Sequence, residues 1–99
     1  MVEMKWELRQ GEILLGTLEF QEQNQPWFQC SFEPAPAFEQ VKLLFKEELG
    51  LLNRSDMKNW EKAYKTIDAL KLSLHPKQGK GITNFLLHID GKEAWFRSD

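Results

Sequence analysis

Ninety-nine residues with 41% hydrophobic and 28% charged content describe one domain, residues 1–99, with enough apolar material for a core and too much for a disordered chain. A formal net charge of -2 and a sequence pI of about 5.7 leave no basic footprint for nucleic acid or an anionic membrane. The one cysteine, Cys30, excludes an intrachain disulfide and fits a reducing, cytoplasmic location.

The N-terminus, Met1-Val2-Glu3-Met4-Lys5-Trp6-Glu7, is charged and alternating and lacks the apolar centre of an export signal. No apolar run approaches the roughly 20 residues that a membrane-spanning helix needs. Residues 4–9 alternate, with Met4, Trp6 and Leu8 on one face. A Gln10-Gly11 turn leads into a second strand over 12–21, which sets Leu8 opposite Ile13 and Trp6 opposite Leu15. The apolar phase then slips: Ile13 and Leu15 share one face, Leu18 and Phe20 the other. A β-bulge near Gly16 would restore a common face. After a polar loop, residues 27–33 form a third strand with Phe28, Cys30 and Phe32 inward. Pro34-Ala35-Pro36 ends it, because proline has no N–H for the ladder.

Phe38, Val41, Phe45, Leu49 and Leu52 fall at helical spacing and predict a helix over 37–52. Ser55 suits the N-cap of a second helix, with Asp56 in its first turn and Met57, Trp60, Tyr64 and Ile67 along its apolar side. Strands over 71–76, 82–89 and 92–97 follow. The order β-β-β-α-α-β-β-β predicts an α+β domain, an antiparallel sheet with two helices packed on one face.

The last two strands flank Asp90-Gly91, a strong hairpin signal. Phe85, Leu87, Ile89, Ala94 and Phe96 then share the core face, and Leu86, His88, Glu93, Trp95 and Arg97 the outer one. Trp27, preceding the inward Phe28, belongs on the outer face or the loop edge, where it would enlarge an aromatic patch around Trp95.

Reactive constellations are not found. Cys30, His75 and His88 lack zinc-ligand spacing and could meet only through the fold, so no metal or cofactor is expected. Cys30 between two inward phenylalanines reads as an inert core thiol, and His88 as a paired surface imidazole. Among the fifteen acidic residues, none stands in an apolar context suited to acid catalysis. Gly79-Lys80-Gly81-Ile82-Thr83 lacks the first glycine, the ending and the helix of a phosphate loop. Lys58, Lys62 and Lys65 make a solvated helix stripe interrupted by Glu61 and Asp68.

Segments Leu87-His88-Ile89-Asp90-Gly91 and Ala94-Trp95-Phe96-Arg97 resemble stretches of small bacterial proteins, a likeness confined to the C-terminus that implies no activity. The pattern predicts a non-enzymatic interaction module. Leu86, His88, Trp95, Arg97 and Trp27 would contact a protein partner or a second copy, with no catalytic residues and no role for nucleic acid or membrane. The alternative is a small-molecule binding protein or minor enzyme, with a pocket between sheet and helices.

Overall fold

A computed structural model describes residues 4–98. Three strands come first: β1 (Lys5–Gln10), β2 (Ile13–Asn24) and β3 (Trp27–Pro34). A 3-10 turn (Pro36–Gln40) leads into two helices, α1 (Lys42–Asn53) and α2 (Met57–Asp68). The chain closes with β4 (Leu72–Pro76), β5 (Phe85–Asp90) and β6 (Glu93–Ser98). All six strands join one curled antiparallel sheet in the order β4-β1-β2-β3-β6-β5, so the expected α+β architecture holds. After the helices, β4 returns to pair with β1 and β6 pairs with β3. The two halves of the chain are thereby interleaved, with β4 and β5 at opposite edges.

Both flanking hairpins turn one residue later than the sequence suggests. The turns are Gly11-Glu12 and Gly91-Lys92, closed by the pairs Gln10↔Ile13 and Asp90↔Glu93. Gly11 and Gly91 have φ of +61° and +62°. A glycine at the first central position alone meets the demand of a type II′ turn, whereas an Asp-Gly turn of type I′ would also force the aspartate left-handed. Moving a turn by one residue shifts the pairing by one on each strand, so the faces survive. Leu87 pairs with Phe96 and Ile89 with Ala94, and the terminal hairpin keeps its expected core face.

The phase slip in β2 is resolved by a bulge. Leu8 pairs with Gly16 and Arg9 with Leu14, which leaves Leu15 as the extra residue. The expected contacts of Leu8 with Ile13 and of Trp6 with Leu15 are therefore replaced, and Trp6 pairs with Leu18. Ile13 and Leu14 are left exposed while Leu15 and Leu18 are buried. Gly16 allows the close approach, because a Cβ there would stand 2.5 Å from the Phe32 ring. The core fills the concave side of the sheet. Trp6 packs edge-on to Phe96 at 5.1 Å, and Phe32 packs against Phe38 at 5.0 Å.

The expected first helix is divided. A 3-10 turn carries Phe38, and α1 begins after Val41, whose ψ is -1°. The stripe nonetheless stays together: Phe38, Val41, Phe45 and Leu49 are all buried. The N-cap of α2 is Asp56 rather than Ser55. Its carboxylate accepts from the Asn59 N–H at 3.4 Å, while Ser55 takes a left-handed φ of 59° in the link between helices. The Asn59 side chain also donates to Asp56 and, as the largest cause, holds its carboxyl below the ordinary value. Met57 is exposed, so the buried side of α2 narrows to Tyr64 and Ile67, with Trp60 at its margin.

Ile82, expected within the fifth strand, instead exchanges two backbone hydrogen bonds with Leu74 and covers the outer edge of β4. Substituting Gly16→Ala should lower unfolding stability by about 2 kcal/mol through overpacking against Phe32. A urea midpoint equal to that of the parent chain would contradict this packing.

Candidate functional site

Cross-strand register brings the five expected surface residues together. Leu86 pairs with Arg97 and His88 with Trp95 on β5–β6. Trp27 lies one step beyond the Phe28↔Phe96 pair and so falls beside Arg97. The Arg97 guanidinium stands 5.4 Å from the Trp27 ring centroid. The His88 ring lies 5.4 Å from that of Trp27 and 5.6 Å from that of Trp95.

The patch differs from expectation in its depth. Arg97 is exposed and Trp27, Leu86 and Trp95 are half-buried, but His88 is only 3% exposed. It is not a surface imidazole and offers a partner no direct contact. The cause is α1, which packs along β5 and sets Glu48 against the histidine. The helix pair lies beside the β5 edge. Its apolar side chains enter the concave core, while Glu48 reaches a residue of the opposite face.

Glu48 is fully buried and joins three elements. Its Oε2 accepts from Trp60 Nε1 of α2 at 2.6 Å, and His88 Nδ1 lies 2.9 Å from each carboxylate oxygen. A carboxylate in this acceptor role fixes the imidazole proton on Nδ1. The Trp60 and Tyr64 rings lie 5.3 Å apart with their planes tilted by 31°, and the Tyr64 hydroxyl accepts the Leu87 N–H of β5 at 2.8 Å. That bond satisfies an edge-strand donor that no seventh strand reaches. Burial is the largest cause pushing the Tyr64 phenol up to about 12.

The residue pattern does carry a signal for Glu48, contrary to the expectation that no carboxylate had an apolar setting. Glu48 stands three residues after Phe45 and four before Leu52, on the buried side of its own helix. Its partners, 12 and 40 residues away in sequence, are visible only in the fold. Among the described residues, His88 faces the Glu48 carboxylate and the rings of Trp27, Tyr64 and Trp95. This arrangement orients an imidazole and supports a surface; it sets no hydroxyl or thiol nucleophile against the ring.

The other candidates stand apart. Cys30 is buried on the concave face, and burial pushes its thiol up to about 12. His75 Nε2 lies 2.7 Å from Ser73 Oγ on β4, at the sheet edge opposite His88. Among the described residues, no three His, Cys, Asp or Glu side chains gather as metal ligands. Lys58, Lys62 and Lys65 are exposed along α2. A groove of about 480 Å³ runs between α2 and the beginning of β5, with Trp60, Tyr64, Lys65, Asn84, Leu86 and Arg97 among its walls. No family model, curated protein or solved structure matches the chain.

Cys30 should resist a thiol-modifying reagent in the native protein at pH 8 and react fully once the chain is unfolded in urea; fast native labelling would contradict its burial. Tyr64→Phe should cost about 2 kcal/mol near neutral pH by stranding the Leu87 donor. Because the folded-state phenol is raised from 10.0 to about 12, the stability it confers is intact below pH 10 and lost as pH rises through 12. The difference in unfolding midpoint between parent and Tyr64→Phe should therefore shrink across that window, and a constant difference would contradict the assignment.

Proposed function

We propose that this chain is a non-enzymatic, intracellular binding module that engages a protein partner through the outer face of β3, β6 and β5. The observation that carries this reading is the grouping of Arg97, Trp27, Trp95 and Leu86 over a fixed base. Arg97 lies over the Trp27 ring and, among the described residues, has no carboxylate within ion-pair distance. Trp and Arg are the residue types that most often dominate interface energies when they are rigid and surrounded by excluded water. Rigidity here comes from beneath: His88, clamped by Glu48, packs against both indoles. Side chains already ordered in the free protein lose less entropy on binding.

A small-molecule site draws some support from the groove beside α2, whose volume of about 480 Å³ lies within the range typical of ligand pockets. Its walls include Glu61, Lys65, Asp68, Asn84 and Arg97, more charge than the mostly apolar lining of such pockets. A polypeptide suits it better than a compact apolar ligand. Trp95→Ala should leave the chain folded and weaken partner binding by about 2 kcal/mol. Affinity capture from the native host at low salt, followed by titration of the captured protein, measures this. A folded Trp95→Ala with unchanged capture and unchanged self-association would reject the surface.

A further inference from the structure

We propose that the partner is recognised as an extended, acidic-apolar segment that adds a short strand to the first part of β5, in the groove beside α2. This deepens the reading of the outer face as a binding surface and rests on it, because Leu86 and Arg97 belong to both.

Leu87 sends its N–H away from β6, to the Tyr64 hydroxyl. Along a strand paired on one side, alternate residues present both N–H and C=O outward. Phe85, two residues earlier, therefore points its N–H and C=O from the same edge, beside the groove that this residue helps to line. Among the described residues, no protein group bonds these two atoms. Tyr64 thus closes the edge at Leu87 and leaves it open at Phe85. The opposite edge is closed at its centre by the paired Leu74 and Ile82. A peptide strand is the occupant that supplies a C=O and an N–H at the spacing of an open edge.

Side-chain chemistry selects among peptides. Trp60 and Tyr64, with rings in tilted contact, form an aromatic wall on α2, facing Phe85 and Leu86 across the groove. Alternate residues of an added strand would meet these apolar surfaces. Glu61 and Asp68 lie four and three residues from Lys65 on the same helix, so the acids of the groove stand beside a neighbouring ammonium. Among the described residues Arg97 has no carboxylate within ion-pair distance, and its guanidinium lies over the Trp27 ring. An acidic side chain on the incoming strand answers it with paired, charge-assisted hydrogen bonds.

The test uses the full chain and a random ten-residue peptide phage library as probe. Enriched peptides, made synthetically, are titrated into isotope-labelled protein while backbone amides are followed by NMR. Expected are sequences that alternate apolar and acidic residues and shift the amides of residues 84–87. Phe85→Pro removes the outward donor while sparing the ladder to β6, and should weaken binding at least tenfold. Phe85→Ala, which keeps the donor, should weaken it less. Should Phe85→Pro fail to fold, N-methylating successive peptide residues gives the same information: loss of binding at alternate positions supports strand addition, and loss at none overturns it. Peptides that shift the Trp27 and Trp95 amides yet bind Phe85→Pro like the parent would overturn strand addition and leave the surface reading standing. No enrichment would also overturn strand addition, with the surface tested separately by Trp95→Ala.

Discussion

A carboxylate sealed from water has to be satisfied by protein donors, and the arrangement of this fold around β5 follows from how Glu48 meets that demand. Removing a charge from water costs several kcal/mol, recovered only by close and well-directed partners. Glu48 finds them on two other elements, Trp60 of α2 and His88 of β5. These contacts set the rotation of α1, its separation from α2 and the position of both against the sheet. Apolar packing alone, through Phe38, Phe45 and Ile67, draws the helices to the concave side but specifies their rotation less sharply, because hydrophobic contact is non-directional.

Two consequences reach the surface. Burying His88 turns an imidazole that would otherwise be a mobile surface group into a floor for Trp27 and Trp95. Fixing α2 also places Tyr64 where its hydroxyl takes the Leu87 N–H and leaves the groove beyond it. The edges of the sheet are thus managed unequally. β4 is covered by Ile82, while β5 is covered for part of its length. Stability and the proposed recognition share one polar network, and a change in that network should be felt in both.

Much of the fold is legible in local pattern. Period-two alternation marks the strands, and the stripe from Phe38 to Leu49 marks the helical side even though the backbone changes from 3-10 to α within it. The faces of the terminal hairpin are readable despite a misplaced turn, because a turn shift conserves parity. Burial at Leu15 and exposure at Ile13 are not readable in the same way. They depend on the position of the bulge, which Gly16 sets by admitting the Phe32 ring. The outer patch is foreseen in membership and not in depth. Parity places His88 beside Trp95, but only tertiary structure brings Glu48 across 40 residues to cover it. Asp56 displaces Ser55 as the cap for a similar reason, since the choice depends on which residue the short helical link turns left-handed.

Glu48 couples the helices to one another and to β5, rather than filling space beside them. A double-mutant cycle between Glu48→Ala and Trp60→Phe, read from urea unfolding, isolates that coupling from the packing each residue also provides. A coupling energy above about 1 kcal/mol is the predicted result for a shared buried hydrogen bond. Effects that add to within about 0.4 kcal/mol would contradict it, and would reduce Glu48 to a bystander in the helix interface.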